Sequence, residues 1–126
     1  MLPRHELPQI PTKEVPRFVH FCQENGVPVC AVHMHVMKLV PIQKHLNADK
    51  VRRFVDSKDS YQVPLIISKD NHIVDGHHRW AGAAVNDRNA KLLCLQFGCD
   101  VKELVDLGHQ FDGSVVKSVA EVIKQR

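Results

Sequence analysis

The sequence predicts a small α+β domain: a mixed sheet flanked by helices, with no regular βαβ alternation. Three observations carry this. Short β-branched apolar runs are interspersed with stretches of helical period, in the order α, β, α, β, β, α, β, α, α. The length, 126 residues, suits one domain that buries enough surface to fold without staples. Hydrophobic residues at 44% and charged residues at 25% exclude disorder along the whole length.

Residues 1–11 hold three of the seven prolines (Pro3, Pro8, Pro11) and read as an extended arm ahead of a domain spanning 12–126. Thr12 can cap a helix over 13–25, with Val15, Phe18, Val19 and Cys22 on one face. Pro16 falls near its first turn, where proline is tolerated, and Gly26 ends it. Residues 27–40 are β-branched and mostly apolar, which predicts one long strand. Asn47 caps a short helix over 48–57, whose buried stripe is Val51, Phe54 and Val55.

Strands follow at 63–68 and 72–74 around the turn Lys69-Asp70-Asn71. The small-residue stretch after Asp75-Gly76-His77-His78-Arg79-Trp80 begins a tightly packed helix, and 90–97 forms a further strand. Asp100 with Glu103 makes an acidic capping box for a helix over 101–109. Ser114 opens a last amphipathic helix over 115–125.

The net charge is +3, too small to argue nucleic-acid binding by itself. It is uneven: residues 1–55 carry eight Lys/Arg against four acids, and residues 56–126 nine against ten. An anionic partner therefore meets the first half. No apolar run approaches the ~18 residues of a membrane span, and the start lacks a signal-peptide core, so a cytoplasmic location is expected. Cys22, Cys30, Cys94 and Cys99 show no C-x-x-C spacing and read as reduced thiols, the first three in the core.

The segment 75–79 carries the chemistry. A strand-to-helix junction offers backbone N–H groups and the positive end of a helix dipole, both suited to an anion. Gly76 permits a sharp turn, and Arg79 supplies a planar fork that matches phosphate oxygens. His77 and His78 can donate hydrogen bonds or move a proton. Asp75 can hold a divalent cation or accept a proton from a hydroxyl. The plainer alternative is an ordinary turn, since Asp-Gly is a turn dipeptide and a chain with nine histidines throws up adjacent pairs by chance. His33 and His35, at i and i+2, read as a half-solvated strand face rather than a metal site. Trp80 reads as core rather than as a stacking platform.

The run VPLIISKDNHIVDGHHRWAGAA resembles the core of the ParB/sulfiredoxin superfamily: strand, turn, strand, then a Gly-x-(His/Arg)-Arg box opening an alanine-rich helix. LNADKVRRFVDS is similar to the Asp-Pro-Ala-Lys-Val helix of sulfiredoxins, and DVKELVDL to their Leu-Ser-Asp-Leu helix. The likeness covers roughly residues 36–107. The Pro-Gln-Ile of the arm with the later Pro41 and Gln43 also resembles phage ParB-like nuclease domains.

The resemblance implies a nucleotide site in which Lys50, His78 and Arg79 hold phosphates and the turn at Gly76 adds backbone donors. His77 stands where sulfiredoxins have their catalytic cysteine, which excludes sulfinic-acid reduction. The Asp-Gly-His-His-Arg form is closest to the free serine kinase branch and implies that Asp75 is catalytic or organises Mg²⁺. Gln43 occupies the region of that branch's upstream glutamate. His77 is the candidate for proton transfer or for steadying a leaving oxygen, and Gln43, Asn47 and Arg53 are further substrate or phosphate contacts. The expected ligand is ATP, ADP or CTP with Mg²⁺, in a phosphotransferase or NTPase, with homodimerisation open. The alternatives are a DNA-binding protein or metal-dependent nuclease, and a non-catalytic interaction module of the same fold.

Overall fold

A computed structural model describes residues 1–56 and 63–115. Among these, four α-helices surround a five-stranded mixed sheet, so the chain is a small α+β domain. The strands are β1 (Val29–His35), β2 (Val40–Pro41), β3 (Leu65–Ile67), β4 (His72–Asp75) and β5 (Lys91–Phe97). The helices are α1 (Val15–Glu24), α2 (Ala48–Asp56), α3 (His77–Asn86) and α4 (Val101–Gln110). The expected helix over 115–125 lies outside the described residues, apart from Val115.

The sheet order is β1-β5-β3-β4-β2. β1 runs antiparallel to β5 from Val29 opposite Phe97 to His35 opposite Lys91. β3 is parallel to β5 and antiparallel to β4, and β2 is parallel to β4. β3 is central, and all three of its residues are buried, as a strand covered on both faces requires. Alternation then divides the core. Ile66, Val74 and Phe97 face α1 and α4, packing with Phe18, Leu104 and Phe111. Leu65, Ile67, Ile73 and Cys94 face α3, packing with Val36, Leu39 and Ala83. Phe18 anchors the first layer, its ring 5.4 Å from Phe97 and 5.3 Å from Phe111.

The single strand expected over 27–40 is instead two, on opposite edges of the sheet. A 3-10 turn at Val36–Lys38 breaks it. The side chain of His35 accepts the Met37 N–H at its Nδ1, 3.1 Å away, and caps the turn. The Trp80 indole donates to the Val36 carbonyl at 2.9 Å. Val36 itself is fully buried against α3, so tertiary packing outweighs the local β-propensity. Cys30, expected in the core, is exposed on this edge strand, whereas Cys99 joins Cys22 and Cys94 inside.

At α1 a 3-10 turn, Thr12–Glu14, precedes the helix, and no side chain caps either element. Pro16 sits at the helix start, where its missing N–H costs nothing. At α4 the expected cap is present: Asp100 Oδ1 accepts the Glu103 N–H at 2.8 Å. The turn between β3 and β4 places Asn71 in the left-handed region at φ 69°. Residues 1–11 dock on the rest of the domain. Leu7, Pro8 and Ile10 are buried, a 3-10 turn forms at Arg4–Glu6, and Leu2 bridges to Gln43.

Candidate functional site

β4 ends at Asp75 and α3 begins at His77, so Gly76 alone makes the turn. It has φ +109°, and a Cβ there would lie 2.2 Å from Leu65 Cδ2 and 2.9 Å from Arg79 Nη2. Only glycine meets both demands. As the N-cap it offers no side-chain cap to the helix behind it.

α2 lies against α3 through a second glycine. A Cβ on Gly82 would sit 2.6 Å from Phe54 Cβ, so the small-residue stretch of α3 exists to let α2 approach. The result is a cleft of about 460 Å³, within the range of small-molecule sites. The five residues 75–79 line one wall, and Lys50, Arg53 and Phe54 of α2 line another. Gln43 and Gln9 complete it. Among the described lining residues three cations face one carboxylate, an environment that favours an anion.

Arg79 is the telling member. Burial pulls its guanidinium below the ordinary value, and the nearby Asp75 carboxylate offsets part of that. Its Nη2 donates to the Pro64 carbonyl at a long 3.3 Å, and its Nε is buried with no hydrogen-bond partner. Among the described residues no carboxylate lies within ion-pairing distance of it. A half-buried guanidinium with its Nε shut off from solvent and unmatched is costly unless a ligand completes it.

The two histidines each use Nε2 as an acceptor. His77 Nε2 takes the N–H groups of Ile42 and Gln43, at 3.0 and 3.1 Å, which fixes the loop after β2. The proton of the neutral ring is therefore on Nδ1. His78 Nε2 takes the Asn47 N–H at 3.1 Å, and Asn47 Oδ1 takes the Lys50 N–H at 3.1 Å. A chain of bonds thus runs from the box to the helix that carries Lys50. Asp75 Oδ2 accepts the Ile10 N–H at 2.9 Å, which ties the N-terminal arm to the same box.

Of the residues expected from the sequence, Gln43, Lys50, Arg53, Asp75, Gly76, His77, His78 and Arg79 line this one cleft. Asn47 does not; it caps α2, the structural half of its expected role. Two lining residues were not expected at the site. Gln9 belongs to the Pro-Gln-Ile arm, whose motif gave no sign of where it would dock. Phe54 sits in a helical apolar stripe, which signals core. Elsewhere, no cluster of three His, Cys, Asp or Glu is placed to hold a metal among the described residues. None of their helices is long and apolar enough to cross a membrane.

Comparison of the chain with protein-family models, with curated proteins and with solved structures found no match.

Proposed function

We propose that the chain binds the phosphates of a nucleoside triphosphate and transfers or hydrolyses the terminal phosphoryl group. The observation that carries this reading is Arg79: a half-buried side chain whose guanidinium Nε is buried and unpartnered, lining a cleft that also holds Lys50 and Arg53. Resemblance to the ParB/sulfiredoxin superfamily supports the same reading through Lys50, His78 and Arg79.

In this reading the Arg79 fork and the Lys50 ammonium clamp phosphate oxygens, while Arg53 extends the positive field toward solvent. Gly76 lets the backbone come close enough for amide donors to join them. His78 and Asn47 hold the first turn of α2 and so set the position of Lys50. His77 holds the loop that presents Gln43. Phosphoryl transfer demands mainly positioning and charge neutralisation, and this set supplies both.

Asp75 suits a Mg²⁺ ion that arrives with the nucleotide, because Mg²⁺ is commonly held by one or two carboxylates plus substrate phosphates. Such an ion would neutralise charge on the reacting phosphoryl group. Asp75 also stands where it can accept a proton from water or a hydroxyl nucleophile.

Calorimetric titration with ATP, ADP, CTP and GTP in the presence of Mg²⁺ tests the reading. It requires binding of at least one nucleotide that collapses in Arg79→Ala, with phosphate released or transferred. Absence of all nucleotide binding sinks it. Metal-dependent nicking of plasmid DNA that Asp75→Ala abolishes would transfer the same site to a nuclease.

A further inference from the structure

We infer that Phe54 and Gln9 select the base of the nucleotide, Phe54 by stacking and Gln9 by hydrogen bonding, a step that rests on the phosphate-binding reading above. Neither residue carries charge, so neither adds to the cationic clamp on the phosphates. Both nevertheless line the cleft beside the cations.

Phe54 follows Lys50 by four residues on α2, so the two side chains lie one turn apart on one side of the helix. A ligand whose phosphate meets the lysine has its next atoms about 5 Å away, beside the ring. The backbone and Cβ of Phe54 lie against Gly82 of α3, and its half-buried ring lines the cleft. A planar heteroaromatic group is the chemistry that such a ring accepts.

Gln9 is held by its backbone, not by its side chain. Its N–H donates to the Val115 carbonyl at 2.7 Å, and its carbonyl accepts the Val115 N–H at 2.8 Å. The next residue, Ile10, is bound to Asp75. Pro8 packs on Gly108, where a Cβ would come within 2.4 Å. With the arm pinned on three sides, the half-buried Gln9 carboxamide has no hydrogen-bond partner among the described residues. Gln43 differs: its Nε2 already donates to the His45 carbonyl at 2.7 Å. Gln9 is therefore the amide left to read a donor–acceptor edge.

The test is calorimetric titration of the full chain with Mg-ATP, Mg-CTP and Mg-tripolyphosphate. The wild type is expected to bind at least one nucleotide about tenfold more tightly than tripolyphosphate. Phe54→Leu should weaken that nucleotide about tenfold and leave tripolyphosphate unchanged within about twofold, whereas Phe54→Tyr, which keeps a ring, should restore it. Gln9→Ala should bring the ATP and CTP affinities closer together, again sparing tripolyphosphate, whose retained binding shows that each variant is folded.

Equal wild-type affinity for the nucleotides and tripolyphosphate overturns base selection and leaves the phosphate site standing. So does an equal loss of all three ligands in the variants. No binding of any of the three removes both readings.

Discussion

The Asp75 carboxylate and the Ile10 backbone N–H are joined at 2.9 Å across 65 residues of sequence. One side chain thus serves the arm and the cleft together. Asp75→Asn keeps an acceptor oxygen and removes the charge; Asp75→Ala removes both. We expect Asp75→Asn to stay within about 1 kcal/mol of wild type in urea denaturation, and Asp75→Ala to lose about 2 kcal/mol. Both should lose phosphoryl transfer. Equal stability of the two variants would show that the arm does not depend on this bond.

The turn at Gly76 is constrained in two ways that a second glycine separates. Gly26 also has positive φ, +81°, but nothing lies within 4 Å of a Cβ placed there. Gly26→Ala should therefore cost only the backbone penalty, about 1 kcal/mol. Gly76→Ala adds a collision with Leu65 and Arg79 and should cost about 3 kcal/mol. Paired urea titrations read the difference directly, and equal losses would contradict the packing described for Leu65.

These residues also show what the sequence makes legible. The box 75–79 was readable because its chemistry is local: a strand, a turn only glycine can make, and a helix start, whereas Lys50 came only from the resemblance to the sulfiredoxin helix. The elements around them followed from apolar period and caps such as Asn47 and Asp100. The break at Val36–Lys38 was not readable, because Trp80 and the α3 face impose it from 44 residues away. Gln9 was hidden for a similar reason. Its place depends on pairing with Val115, a contact with no local signature.

His77 is expected to act as the post for the loop after β2. Two backbone donors converge on its Nε2, so long-range proton–nitrogen correlation spectra should show Nε2 unprotonated and Nδ1 carrying the hydrogen. His77→Ala strands the N–H groups of Ile42 and Gln43 and should cost about 2–4 kcal/mol. A ring protonated at Nε2 near neutral pH would refute the arrangement.

The thiols offer a test of the core. Burial pushes Cys22 and Cys94 up to about 12 and Cys99 to about 11, against an ordinary value of 9.0. The folded state holds these protons more tightly than the unfolded chain does. Their contribution to stability is therefore complete below about pH 9 and is lost as pH rises toward 12. Near pH 8 a thiol reagent should modify the exposed Cys30 quickly and the other three only on unfolding. Rapid labelling of Cys22 or Cys94 in the native state would contradict the two-layer core.

Arg79 sets stability against binding. In the ligand-free chain its half-buried guanidinium carries a desolvation cost with one long bond to Pro64 and an unmatched Nε. Replacing it with methionine, of similar length and no charge, removes that penalty, because a buried charge without full compensation is often worse than an apolar side chain. Arg79→Met should therefore melt at the same temperature as wild type or higher when no ligand is present. Polyphosphate or nucleotide should then raise the wild-type melting temperature and leave the variant unmoved, since a ligand stabilises only the state it binds. The loss of a charge-assisted contact predicts affinity weakened by about tenfold to a hundredfold. A variant that melts well below wild type without ligand would mean that Arg79 is there to hold the fold, and the anion site would lose its centre.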